Sequence, residues 1–128
     1  MTILYAEDDR EDVDFFSEIL RIADPESTCL YCEDGIEALD MLSNLVTIPD
    51  YIFLDINMPS MDGRTCLREI RRDGRFKNVP IIIYTTGTDP KEKALCLELG
   101  ATAYLSKPIT TEEGVASLSN LFAKKAFS

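Results

Sequence analysis

Residues 51–63 read YIFLDINMPSMDG. The opening positions are apolar without alternation, as in a strand covered on both faces, and the run breaks on a carboxylate, Asp55. Such a strand belongs inside a parallel sheet with helices on both sides. PIIIYTT (80–86) has the same character, while TILYA (2–6), STCLYC (27–32) and ATAYLSK (101–107) are also of strand length.

Helical stretches with recognisable starts separate these runs. DREDVDFFSEILRIA (9–23) lines Val13, Phe16, Ile19 and Leu20 on one face. Asp34 with Glu37, and Thr110 with Glu113, have capping-box spacing, and Asp62 opens a third helix. Asp89 and Pro90 open a fourth, which Gly100 stops. Gly114 is expected to weaken the start of the last helix by about 1 kcal/mol relative to Ala. Five strand–helix units without a linker or repeat predict one α/β domain over residues 1–128. Its sheet is five-stranded, parallel and doubly wound, with five helices making three layers. Order 2-1-3-4-5 is the common solution at this size, and it places a crevice beyond the carboxyl ends of the first and third strands.

Composition narrows the chemistry. A net charge of −10 disfavours nucleic acid, whose phosphates would be repelled, and suits a cation or a basic partner. The absence of histidine removes histidine acid–base catalysis, histidine metal ligands and Ser-His-Asp systems. No apolar stretch approaches the ~20 residues of a membrane span, and MTILYAEDD has no basic region ahead of an apolar one, so a cytoplasmic protein is expected. Cys29 and Cys32 are three apart in a strand and face opposite sides of the sheet, so all four cysteines are expected as reduced, structural thiols.

The carboxyl ends of the strands carry the informative residues. The first delivers Glu7, Asp8 and Asp9; the third Asp55, with Asn57 two residues on; the fourth Thr85 and Thr86; the fifth Lys107, followed by Pro108. Converging carboxylates repel one another, and a hard divalent cation relieves them. Oxygen ligands without His or Cys point to Mg²⁺ or Mn²⁺. A lysine and a hydroxyl in the same crevice suit phosphoryl oxygens. Each feature alone has a plainer reading, as helix start, turn or cap; what outweighs it is that all fall at the same end of adjacent strands. The residues thus describe a metal-dependent phosphoryl site with a carboxylate available as nucleophile.

AEDD, LDINMPSMDG, PIIIYTTG and GATAYLSKP, in this order and at these separations, closely resemble the receiver domain of two-component response regulators. The likeness covers essentially the whole chain and is strongest to small stand-alone receivers, chemotaxis regulators and the partners of bacterial phytochrome kinases. It implies the flavodoxin-like fold. It further implies that Asp55 accepts a phosphoryl group from a histidine kinase or histidine phosphotransfer protein. Asp8 and Asp55 would ligate Mg²⁺, Asn57 would give its backbone carbonyl, and Glu7 would act through water. Thr85 would move to the phosphoryl group with the Thr86 amide assisting, Lys107 would pair with the remaining oxygens, and Tyr104 would swing inward. The Lys107–Pro108 bond would be cis. The output surface would be the fourth helix, fifth strand and fifth helix, binding a downstream protein or a second copy. The chain ends where the family's fifth helix ends, so the signal is expected to leave by protein–protein contact, from a monomer or a phosphorylation-dependent homodimer. Phe122 and Phe127 are candidate dimer contacts.

Two departures stand out. Thr86 occupies a position where the family favours Ala or another very small residue, and Gly87 leaves one flank of the acyl phosphate bare. Dephosphorylation is therefore expected to be comparatively fast, and slower in Gly87→Lys; equal or faster decay of that variant's phosphorylated form would refute the idea. Among other readings, a haloacid-dehalogenase-type phosphatase shares an Asp nucleophile, Mg²⁺, Thr and Lys. It needs a general acid where Asn57 stands and a late acidic pair, whereas the pair here is at residues 7–9. A pseudo-receiver that is never phosphorylated would not need the complete residue set. A flavodoxin-like cofactor carrier would need a phosphate loop after the first strand.

Overall fold

The computed structural model describes the backbone of residues 1–126 and the side chains of residues 1–124. Five strands, β1 (Thr2–Ala6), β2 (Thr28–Cys32), β3 (Tyr51–Leu54), β4 (Ile81–Thr85) and β5 (Ala103–Ser106), alternate with five helices, α1 (Arg10–Ala23), α2 (Gly35–Asn44), α3 (Gly63–Arg72), α4 (Pro90–Glu98) and α5 (Thr111–Ala126). The sheet is parallel throughout, in the order β2-β1-β3-β4-β5. This is the doubly wound, flavodoxin-like architecture expected from the strand pattern.

β3 and β4 are buried at every position because each of their faces meets a separate core. One core sets Leu4, Ile52, Leu54, Ile81 and Ile83 against Leu42, Leu67, Ile70 and Cys96. The other sets Tyr5, Phe53 and Tyr84 against Phe16, Ile19 and Leu118. In the second, the ring of Phe16 lies 4.4 Å from that of Tyr5 and 5.1 Å from that of Phe53, centroid to centroid. Cys29 packs with the aromatic core and Cys32 with the aliphatic one, as the strand period requires, and all four thiols are free. Burial pushes the Cys32 and Cys66 thiols up to about 12, so they behave as small apolar side chains.

The helix starts follow the sequence. Asp9, Asp34, Asp62 and Asp89 accept bonds from backbone amides of α1, α2, α3 and α4. At α5 the Thr110 hydroxyl accepts from Glu113 N, while the Glu113 carboxylate reaches back to the amide of Ile109. Gly114 has a packing role that propensity alone hides. A Cβ there would meet Ile19 Cδ1 at 2.3 Å and Pro108 Cγ at 3.1 Å, so glycine lets α1 and α5 approach closely. Phe122 packs against Tyr51 in a tilted arrangement with ring centroids 5.1 Å apart, whereas Phe127 lies outside the described residues. Arg71 fastens the opposite end of the sheet, donating to the carbonyls of Gly100, Phe76 and Val79 at 2.8 Å each. Among the described residues, no helix is long and apolar enough to cross a membrane.

Candidate functional site

The sheet ladder continues one bond past the strand ends and so fixes the acidic residues. Asp55 N donates to Ala6 O at 3.1 Å and Glu7 N to Cys32 O at 2.9 Å. Lys107 N donates to Thr85 O at 2.7 Å, holding the end of β5 beside that of β4. Behind Asp55, α3 begins in near contact with it: Gly63 N donates to Ile56 O at 3.0 Å, and a Cβ on Gly63 would sit 2.2 Å from Asp55 O.

Glu7, Asp8 and Asp55 each place a carboxylate oxygen within 4.8 Å of the others. Glu7 and Asp55 are buried, at 2% and 5% exposed, while Asp8 faces solvent. Lys107 enters this group from β5. Its Nζ bonds Glu7 Oε1 and Asp12 Oδ2, the latter at 2.7 Å, and stands 3.4 Å from Asp55 Oδ2. The Tyr5 hydroxyl donates to Glu7 Oε1 at 3.2 Å from the aromatic core below.

Burial pushes the Glu7 carboxyl up to about 7, assisted by the charge of Asp55 and opposed by bonds from Lys107 and the Asp9 amide. Burial also disfavours the Lys107 ammonium, but its bonds to Asp12 and Glu7 and the charge of Asp55 outweigh this and hold its pKa above the usual lysine value. Asp55 Oδ1 is buried and has no hydrogen-bond partner. A buried, unpartnered carboxylate oxygen beside two further carboxylates is an incomplete polar arrangement. An oxygen-seeking cation would complete it, so the residues present fit Mg²⁺ or Mn²⁺.

The other residues singled out from the sequence occupy the same end of the sheet with different exposures. Thr85 is buried at the end of β4; Thr86 and Asn57 are exposed. Tyr104 is already inside, 8% exposed, and its hydroxyl donates to Glu92 Oε1 of α4 at 2.9 Å. Gly87 has φ +74°, with no atom within 4 Å of where a Cβ would lie. The Lys107–Pro108 bond, expected to be cis, is trans, as are all peptide bonds among the described residues. Trans is the lower-energy isomer by about 0.5–1 kcal/mol for an X–Pro bond, and Lys107 reaches the carboxylates with it.

Asp12 was not singled out from the sequence. The signal was there: Asp12 lies four residues before Phe16 and seven before Ile19, so it extends the buried stripe of α1 by one turn, into the crevice.

A family model described as the response regulator receiver domain matches residues 3–119. The sensor histidine kinase CheAY of Helicobacter pylori is 42% identical over 65 residues, covering 51% of this chain and 8% of that protein. That kinase and five further curated relatives are matched over only 5% to 35% of their own length. Among solved structures, the chemotaxis response regulator CheY4 of Vibrio cholerae superposes with a TM-score of 0.81 at 29% identity, covering 94% of this chain and 97% of that one. The Mn²⁺-bound form of the response regulator Rcp1 gives 0.80 at 26% identity, covering 94% and 90%. Receiver domains are phosphoacceptor switches of two-component signalling that bind Mg²⁺ or Mn²⁺ in an acidic pocket and interact with histidine kinases and downstream targets. The motifs, the strand order, the acidic crevice and the match over nearly the whole length agree: this chain belongs to the response regulator receiver domain family.

Proposed function

We propose that Asp55 is the phosphoacceptor and that the crevice promotes its own phosphorylation from a phosphohistidine donor on a histidine kinase or phosphotransfer protein. The observation that carries this reading is the buried Asp55 Oδ1 with no partner, beside a lysine that stands 3.4 Å from the other oxygen. A carboxylate oxygen of Asp55 attacks phosphorus, the P–N bond to the donor imidazole breaks as the O–P bond forms, and the imidazole keeps the electron pair and takes a proton. Asp8 and Asp55, the Asn57 carbonyl and, through water, Glu7 would hold the cation. When bound, Mg²⁺ supplies positive charge against the phosphoryl oxygens. Lys107 supplies a second positive charge from beside Asp55, and burial of Glu7, Asp55 and Thr85 keeps bulk water from competing.

The new charge on Asp55 draws the Thr85 hydroxyl and Lys107 inward, with the Thr86 amide assisting, and biases two arrangements of β4 and α4. Tyr104 reports that bias through its bond to Glu92, the one side-chain hydrogen bond from β5 to α4 among those described. The α4–β5–α5 surface passes the signal to a downstream protein, with Leu97 of α4, 42% exposed, as an apolar contact. The whole of residues 1–128 acts as one such switch.

Incubation with acetyl phosphate tests the reading. One equivalent of phosphoryl group per chain is expected with Mg²⁺ and almost none with a chelator, without sustained turnover of a generic phosphate ester. Unlabelled protein in the presence of Mg²⁺ would refute it.

A further inference from the structure

The Lys107 ammonium does not face Asp55 squarely. It bonds Glu7 and Asp12, the latter at 2.7 Å, and lies 3.4 Å from Asp55, whose other oxygen is unpartnered. Three carboxylates share one ammonium, a fourth, Asp8, lies beside two of them, and Asp12 takes one of its best bonds.

Asp12 is held there by the fold. Asp9 caps α1, and Phe16, one turn beyond Asp12, is pinned between Tyr5, Phe53 and Tyr84. The helix is thus fixed in rotation, and Asp12 is directed over the end of β1 toward β5. A plainer role is that of a first-turn acid favouring the helix dipole. Glu11 and the Asp9 cap already fill that role, and it requires no bond to a lysine 95 residues away.

We propose that Asp12 is a positioning residue that holds Lys107 on the α1 side of the crevice and competes for it with the phosphoryl group on Asp55. The proposal rests on Asp55 as phosphoacceptor and Lys107 as the cation that serves it. Phosphorylation then requires Lys107 to exchange the Asp12 carboxylate for a phosphoryl oxygen, so Asp12 lowers the occupancy of the phosphorylated state. Asp12 is 35% exposed, so water weakens the bond and the effect is moderate.

Beryllofluoride, a phosphoryl mimic that binds to a carboxylate, gives a direct measure. Calorimetric titration at saturating Mg²⁺ is expected to show about fivefold tighter binding to Asp12→Asn than to wild type, with Asp12→Glu returning close to the wild-type value. In metal-free protein, reductive methylation followed by mass spectrometry is expected to modify Lys107 faster in Asp12→Asn. A folded Asp12→Asn protein with equal or weaker beryllofluoride affinity would overturn the proposal, and so would an unchanged methylation rate. A role confined to the helix dipole would lower the thermal midpoint without tightening beryllofluoride. Wild-type protein that binds no beryllofluoride would overturn the phosphoacceptor reading, and this proposal with it.

Discussion

Asp55→Asn is expected to take up no phosphoryl group from acetyl phosphate under conditions where the wild type reaches one equivalent, a loss limited only by detection. The amide matches the carboxylate in shape but offers no anionic oxygen to attack phosphorus. Folding should not suffer. Glu7, Asp8 and Asp55 place oxygens within 4.8 Å of one another, so neutralising one relieves repulsion, while the contact given up with Lys107 is long, at 3.4 Å. The thermal midpoint of Asp55→Asn without metal is therefore expected to equal or exceed that of wild type. Stoichiometric labelling of the variant would move the phosphoacceptor to another residue. A lower midpoint would mean that the Lys107 contact outweighs the repulsion.

Gly63→Ala is expected to have the largest effect of any single added methyl group near the site. The new Cβ would lie 2.2 Å from Asp55 O and 2.9 Å from Ile56 Cα, both backbone atoms that no side-chain rotation can clear. Either α3 shifts away from the sheet, losing the fit of Cys66, Leu67 and Ile70, or the peptide after Asp55 turns and carries the carboxylate with it. Overpacking of this kind costs about 3 kcal/mol. An unfolding free energy from urea titration lowered by that amount is expected, together with slower phosphorylation of the molecules that remain folded. A variant with wild-type stability and labelling rate would show that the loop after Asp55 yields more readily than its contacts imply.

The architecture was legible because β3 and β4 lack alternation and because four aspartates mark helix starts, and both signals are local. Strand order followed from the usual solution for five such units. The convergence of Glu7, Asp8, Asp55 and Lys107 was legible because all four sit at carboxyl ends of parallel strands. Asp12 was missed because the acidic run 7–12 reads as a solvated helix start unless its phase against Phe16 and Ile19 is considered. Gly114 was read as a weakness because propensity knows nothing of Ile19, which comes against it from another helix. The trans bond before Pro108 departs from the family expectation, and Lys107 reaches Glu7 and Asp12 with it.

The hydroxyl of Tyr5 rests on Glu7, while its ring lies against Phe16 and near Tyr84 and Phe53. The chain contains no tryptophan. Ultraviolet absorbance and fluorescence therefore come from tyrosine without a stronger indole signal over them, and one of those chromophores touches the acidic crevice directly. A cation held at Glu7 would change the field at Tyr5, so titration with Mg²⁺ is expected to shift the tyrosine signal, a readout that needs no label.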